Sequence, residues 1–429
     1  MKNMKRFRTI LLTLLPVVFI VGATILIVAM GRGYRFDITQ SEVKPTGLLV
    51  ARSDPDSAQV FVDGNLKTAT NNTINIDPGW YAVRIVKEGF IPWQKQLRVQ
   101  GEVVTNTNAF LFPTNPSLSP LTTNGVIHPT LSPDGTQLAY IVPESDSNNE
   151  LSDEITGLWV LPLTDQPLSL NRNPIHVTTH NLLPPGDISL LLWSPDSSEI
   201  LITNSTRTVS YTVARNSTPQ TIDNLSTITS TWEAQQDLRT SAQLALLPQE
   251  FIDIATTSAH ILAFSPDETK ILYEATGSAT IPLIISPPLI GSNSETEERT
   301  IAIDRFYVYD IKEYKNFFVL SKEELELSQD ESKPVKTTLT PALTTFRETF
   351  SSSNTSPLSW FTTGNHLIVQ LPGKIDVMSY DRTNWITIYS GPHESGFVIP
   401  WPGSSRLVIM TNFNTKASEF SNLYTVNLR

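Results

Sequence analysis

A chain of 429 residues is too long for one ordinary core and calls for two or three folded units. The absence of cysteine excludes disulfide scaffolds, thiol catalysis and cysteine-ligated metals. The net charge is −11 although four cations (Lys2, Lys5, Arg6 and Arg8) stand ahead of residue 9, so the rest of the chain is more acidic still; with no dense basic patch in the sequence, this argues against nucleic-acid binding.

Charged residues reach only 17%, and Ser, Thr, Asn and Pro take up the difference. Such residues shape turns while β-branched residues fill strands, so the composition predicts a mainly β fold and speaks against a helical solenoid. From Thr9 to Met30 the sequence is an uninterrupted apolar run, TILLTLLPVVFIVGATILIVAM. As a helix it would span roughly 33 Å, against a hydrocarbon core of about 30 Å. Pro16 would bend it without forbidding insertion. The heavier positive flank predicts a cytoplasmic tail at 1–8, a single-pass transmembrane signal-anchor at 9–30, a linker at 31–45 and an extracytoplasmic bulk. The competing reading is a cleaved signal peptide with Ile27 and Ala29 ahead of the cut, although its apolar region would be unusually long.

Residues 46–113 alternate as strands do. GLLVARS leads through Asp54-Pro55-Asp56-Ser57 to AQVFVDG, which closes on Asp63-Gly64, a strong hairpin signal. Further strands are predicted at Thr73–Ile76, Tyr81–Lys87, Gln94–Val99 and Thr105–Phe112, with turns at Pro78-Gly79 and Glu88-Gly89. The blocks Pro55-Asp56-Ser57-Ala58, Asp63-Gly64, Pro78-Gly79-Trp80-Tyr81 and Lys87-Glu88-Gly89-Phe90 resemble the PEGA domain in order and spacing, although the turn departs from Pro-Glu-Gly-Ala at two positions. The resemblance implies a compact, surface-exposed β-sandwich between an anchor and another domain, with Pro55, Ala58, Asp63, Gly64, Pro78, Gly79 and Gly89 in structural roles. Trp80, Phe90 and Trp93 suggest a glycan-stacking platform or plain core; Trp80 and Phe90 are assigned to the core and Trp93 is left open.

Repeats organise 114–429. LSPDGTQLAYI opens at Leu131, WSPDSSEILIT at Trp193 and FSPDETKILYE at Phe264, with weaker copies WFTTGNHLIVQ at Trp360 and WPGSSRLVIMT at Trp401. Pro presets φ in each corner, Asp accepts from nearby N–H groups, and an alternating strand follows. Lead residues lie 62, 71, 96 and 41 apart, so inserted loops or an undetected blade, most plausibly within 314–356, are implied. Companion strands are visible at Leu158–Leu163, Ile175–Thr179, Val209–Ala214, Phe306–Ile311 and Ile386–Tyr389. The corners Ser132-Pro133-Asp134-Gly135, Ser194-Pro195-Asp196 and Ser265-Pro266-Asp267 resemble those of TolB-like or WD-type β-propellers, which implies five or six blades. The segment 117–123 is expected to pair with the last blade and close the ring.

Two stretches break the pattern. In 230–255, Ser230 and Glu233 form a capping box, Ala234, Leu238, Ala242 and Ala245 follow helical spacing, and Pro248 suits the first turn of a second helix, so a helical hairpin inserted in the second blade is expected. The polar run 291–300 reads as a mobile loop.

No catalytic constellation emerges. There is no Gly-x-Ser-x-Gly elbow, phosphate loop, dinucleotide fingerprint or His-Glu-x-x-His, so no cofactor or metal is assigned. Of the six histidines only His176 and His180 share an i, i+4 spacing. Asp134, Asp196 and Asp267 repeat at one turn position, which favours a structural role over a carboxylate pair. Asp146, Glu150, Asp153 and Glu154 lack the spacing of a Ca²⁺ loop. Asn71, Asn204, Asn216, Asn224 and Asn354 head Asn-x-Ser/Thr triplets, which matter only in a glycosylating host. The sequence therefore reads as a membrane-anchored, extracytoplasmic binding or scaffolding protein of the cell envelope, with a protein or glycan partner. An exported hydrolase acting on glycans or peptides in the propeller channel is the alternative.

Overall fold

The strands of this chain sort into two compact units: Met1–Phe112 together with Ile285–Glu295, and Pro113–Ile284 together with Thr296–Arg429. The structure, a computed structural model, describes residues 2–31, 34–37, 42–144, 154–165, 173–184, 186, 188–204, 207–326, 357–413 and 420–429. Side chains of the leader are described from Leu14 to Val28.

The small unit begins with one helix, α1 (Lys2–Gly31), which contains Pro16. A short hairpin, Tyr34–Asp37 with Glu42–Pro45, follows. Two sheets come next. One is three-stranded: Gly47–Asp54 lies between Asn72–Ile76, antiparallel, and Val104–Phe110, parallel. The other is four-stranded and antiparallel, in the order Asn65–Ala69, Gln59–Val62, Gly79–Val86, Trp93–Val99. Leu49 and Ala51 of the first sheet share one core with Val60, Val62, Val83, Ile85, Trp93 and Leu97 of the second. Each fully buried Val, Leu or Ile of this kind contributes about 1.5–3 kcal/mol.

Alternation fixes which aromatics enter that core. On Gly79–Val86 the inward positions are Tyr81, Val83 and Ile85, so Trp80 points outward and is 58% exposed. The core assignment of Trp80 is thus corrected, while Phe90 packs against the core and Trp93, at 8%, lies inside it. The strand Asn65–Ala69 has no apolar alternation of its own. It forms because Asp63 and Gly64, both at positive φ (48° and 78°), make the tight turn that returns the chain.

The segment 285–295 completes the small unit. Ser294 Oγ accepts from the Arg98 amide at 3.1 Å, and Gly291 N donates to Gln100 Oε1 at 3.3 Å. Within the large unit, Arg299 reaches the Pro282 and Tyr314 carbonyls. The polar run 291–300 is therefore held by named partners rather than forming the free loop expected of its composition.

The large unit contains five four-stranded antiparallel sheets. In chain order the first four are Ile127–Leu131 to Ile175–Thr178, Leu190–Trp193 to Gln220–Thr221, Ala259–Phe264 to Lys315–Ser321, and Leu358–Trp360 to Ile386–Ser390. The fifth takes Val398–Pro400, Arg406–Thr411 and Asn422–Asn427 from the end of the chain and its outer strand, Ser117–Pro120, from the start. No sixth such sheet occurs among the described residues of the large unit; of 314–356, where an extra blade was expected, 315–321 belongs to the third sheet, 322–326 is a short helix and 327–356 lies outside the described residues.

Neighbouring sheets share cores. Ile141, Leu158 and Val160 of the first meet Leu191, Trp193 and Ile202 of the second. The third and fourth join through Leu272, Val308, Leu367 and Met378, and the fifth and first through Trp401, Val408, Leu138 and Tyr140. Indole N–H groups tie two of these seams, Trp193 to the Thr130 carbonyl at 3.0 Å and Trp360 to that of Ala263 at 3.3 Å.

Helices serve between the second and third sheets. Trp232 of α2 (Leu225–Leu244) packs on Leu190, Leu192 and Leu201, whereas Leu247 and Phe251, the latter on α3 (Gln249–Ser258), pack on Ile271, Tyr273, Tyr307 and Tyr309. These are the faces the two sheets turn away from their other neighbours, so the hairpin lies between the second and third sheets rather than within the second. Its start also differs from expectation. Asn224, not Ser230, caps α2 by accepting from Ser226 N, and Ser230 sits inside the helix bonded to the Thr227 carbonyl. Pro248 is the N-cap of α3 rather than a residue of its first turn. Leu238, 74% exposed, is off the packed stripe.

Closure carries a direct prediction. Removing 423–429 deletes Leu423, Val426 and Leu428, all fully buried, at about 2 kcal/mol or more each. With roughly 2 °C lost per kcal/mol in a domain of this size, calorimetry should show the large unit melting ~10 °C lower or failing to fold.

Candidate functional site

The repeated corners share one hydrogen-bonding pattern within the large unit. In the first, Ser132 Oγ donates to Asp134 Oδ1 at 2.5 Å and accepts from Gln137 N at 2.9 Å, while Thr136 donates through N and Oγ1 to the same carboxylate. Ser194, Asp196, Ser198 and Glu199 repeat this arrangement, as do Ser265, Asp267, Thr269 and Lys270. The serines are buried, so an unbonded hydroxyl there would be costly. Pro133, Pro195 and Pro266 supply the fixed φ that starts each turn.

The two weaker corners keep the backbone and change the side chains. Phe361 N donates to the His366 carbonyl, and Thr363 Oγ1 bonds His366 Nδ1 in place of the Ser–Asp pair. In the last corner Trp401 N donates to the Arg406 carbonyl, as Ser132 N does to Gln137. Pro400, not Trp401, therefore matches the lead residue, one position from the sequence alignment.

Each corner places a left-handed residue at one position: Gly135, Ser197, Glu268, Gly364 and Ser404, with φ between 53° and 72°. Three of them, Ser197, Gly364 and Ser404, approach the preceding corner. Ser197 Oγ accepts from Asp134 N at 3.3 Å, and Ser404 Oγ and Thr362 Oγ1 are 2.6 Å apart. A Cβ on Gly364 would lie 2.8 Å from Asp267 Oδ1, so only glycine fits that seam. Asp165 takes the Ser405 hydroxyl at 2.8 Å and the Arg406 guanidinium at 3.4 Å, linking the fifth corner to the first sheet. Between the second and third sheets Gln243 of α2 donates to Glu268 at 3.1 Å. This rim of side-chain contacts links the first corner to the second, the fourth to the fifth and the fifth to the first sheet, while the third meets α2.

The acids of the corners are engaged within their own turns. For Asp134 and Asp267 burial opposes the charge, but the hydroxyls of Ser132 and Thr136, and of Ser265 and Thr269, outweigh it. At Asp196 the Ser194 hydroxyl is the main cause. All three carboxyls are held below the ordinary aspartate value, and their oxygens are occupied by their own turns. Asp376, a buried acid the sequence did not single out, is likewise engaged by Lys374, Trp385 and Thr387 at 2.7–3.0 Å. His176 stacks on Trp159, with ring centroids 4.5 Å apart, whereas His180 pairs with Glu144 at 3.0 Å, so these two histidines serve different partners. No group of three or more metal-capable side chains occurs among the described residues. Asp146, Glu150 and Asp153 lie outside them.

In the small unit the Asp63 carboxylate accepts from Ala82 N at 2.9 Å. Gly64 and Gly89 adopt φ of 78° and 79° at their turns. Ala58 is buried, and its amide bonds Thr70 Oγ1 at 3.0 Å. Pro55 precedes it, its carbonyl accepting from Ser53 Oγ. Pro78 and Gly79 lead directly into the strand Gly79–Val86.

Depressed carboxyl pKa values stabilise the fold above the unfolded value of about 3.9, and that stability is lost as pH falls through the lower folded values. Asp134→Asn/Asp196→Asn/Asp267→Asn should therefore flatten the loss of urea midpoint between about pH 4 and pH 2. At pH 7, Ser132→Ala should cost about 1–2 kcal/mol by leaving Gln137 N unbonded.

Residues 46–115 match the PEGA domain. No curated protein matches the chain. Among solved structures it is similar to a putative TolB from Agrobacterium tumefaciens, at 12% identity over 68% of this chain and 71% of that one, with a TM-score of 0.21. It is similar to TolB from Acinetobacter baumannii at 10% identity over 81% and 59%, TM-score 0.21. It is also similar to the β-propeller domain of Cps50 (Swd1) from Myceliophteria thermophila at 10% over 73% and 100%, TM-score 0.24. At such TM-scores the overlap adds nothing to what the strand pairing shows. The small unit thus carries a PEGA domain, and the chain as a whole is similar to TolB and WD-type propeller structures.

Proposed function

We propose that this chain is a membrane-anchored, extracytoplasmic binding or scaffolding protein of the cell envelope, whose large unit is a five-bladed β-propeller acting as the recognition platform. The observation that carries the reading is the rim. Its carboxylates are engaged within their own turns, while hydroxyls join corners at Ser197–Asp134 and Ser404–Thr362 and Asp165 holds Ser405, which supports reading the loops around it as carried on a firm frame. Loops on such a frame recognise a protein or glycan without needing a reacting group.

The anchor is supported by sequence and by exposure. Among the described residues no helix is long and apolar enough to cross a membrane, but the described side chains of α1 stop at Leu14 and Val28. Within that stretch Leu14, Phe19, Ile20, Ile25 and Ile27 are all exposed, and Thr24 returns its hydroxyl to the Ile20 carbonyl at 2.8 Å. A helix apolar on every side calls for a nonaqueous surrounding, and the sequence continues the run from Thr9 to Met30.

Fractionation tests the anchor and crosslinking tests the platform. The full chain should stay with membranes through alkaline carbonate washing and be cut by protease added to spheroplasts, whereas a chain lacking residues 1–30 should be released. Crosslinking on intact cells should recover an envelope component. A full-length chain that is protected from protease and found in the cytosol would overturn the proposal.

A further inference from the structure

The small unit carries a surface unlike the rest of the chain. The four strands Asn65–Ala69, Gln59–Val62, Gly79–Val86 and Trp93–Val99 contain Lys67, Arg84, Lys95 and Arg98 and not one Asp or Glu, in a chain of net charge −11. Core-facing positions take Val60, Val62, Val83, Ile85, Trp93 and Leu97, so alternation sends Trp80, Arg84, Gln96 and Arg98 to the opposite face, all of them exposed.

Register sets their spacing. Trp80 stands directly across from Arg98, Ala82 from Gln96, and Phe61 from Arg84. Directly opposed side chains have Cβ atoms about 5 Å apart, and Trp80 and Arg84 lie roughly 13 Å apart along one strand. Between them Ala82 leaves the face low. Of the acids at the strand ends, Asp63 takes the Ala82 amide, and Asp77 stands two residues ahead of Gly79. Among the described residues neither guanidinium has an ion-pair partner.

We infer that this face binds an anionic polysaccharide. An exposed indole offers a flat apolar surface to the C–H face of a sugar ring, and the guanidiniums of Arg98, directly across, and Arg84, further along the strand, offer paired N–H donors to carboxylate or phosphate groups. Charge complementarity selects a polyanion, and flatness selects one that lies along a sheet. An acidic protein fits less well, because Trp80 is separated from the Phe61–Leu66 row by Ala82 and no contiguous apolar centre results. The inference is independent of the anchor and of the propeller, so the failure of either leaves it standing.

The test uses the detergent-solubilised full chain with three probes: alginate, a polyuronate; dextran, an uncharged glucan; and poly-L-glutamate, a polyanion without sugar rings. Affinity electrophoresis or calorimetry should show alginate bound at least tenfold more tightly than either other probe. Trp80→Ala, and separately Arg84→Gln/Arg98→Gln, should each weaken alginate binding tenfold or more, Trp80→Phe should retain most of it, and the double arginine variant should flatten its salt dependence. Melting temperatures should stay within about 2 °C of the parent, as expected for exposed positions. Absence of alginate binding overturns the inference. Equal binding of poly-L-glutamate with no effect of Trp80→Ala also overturns it, in favour of an acidic protein partner.

Discussion

A β-sheet with an open edge presents unpaired N–H and C=O groups, and the large unit depends on how its last edge is filled. Ser117–Pro120 pairs with Asn422–Asn427, so the first and last strands of the unit lie in one sheet. The junction is reinforced beyond the ladder. Asn422 Oδ1 accepts from Gly125 N and from Thr122 Oγ1, Thr122 Oγ1 accepts from Leu423 N, and Asn427 Nδ2 reaches Ser117 and Ser119. Gly125, at φ +81°, lets Phe420 approach to a distance no Cβ would permit. With the edge filled, the fifth sheet turns its own face to the first, and the shared cores follow from that.

The corners show how few residue types are needed to repeat this arrangement. A serine supplies one donor and one acceptor, an aspartate collects the donors, and a left-handed residue carries the link to the next corner. Where Ser and Asp are missing, in the fourth and fifth corners, the backbone bond persists and a Thr–His pair or an Arg–Asp bridge takes over. The seam between the second and third sheets is joined differently, by α2 and α3, and there Phe251 stacks on Tyr309 with centroids 4.1 Å apart.

What was legible in the sequence was local or periodic. Three copies of Ser-Pro-Asp announce their corners, because Pro and Asp act within a few residues of themselves, and the unpaired strand at 117–123 announced its need for a partner. Trp80 was misread because apolar character was taken as evidence of burial, whereas the alternation set by Val83 and Ile85 decides the side. Ser230 and Glu233 matched a capping box that the helix overrides, since Asn224 offers an earlier cap. The docking of Ser294 and Gly291 on Arg98 and Gln100 had no local signature at all. Long-range polar contacts between exposed loops leave no periodic mark, and the same holds for Asp165 and Arg406.

The joining of residue 117 to residue 427 also sets a timetable. A ribosome delivers the chain in order, so the outer strand of the fifth sheet exists long before the strands it must meet. Pairings this distant in sequence are slow to form, because loop closure has to be met before any contact rewards it. Until Asn422–Asn427 emerges, the outer strand Ser117–Pro120 has no partner and the fifth sheet cannot be completed. The strand Asn422–Asn427 thus governs when the fifth sheet gains its outer strand.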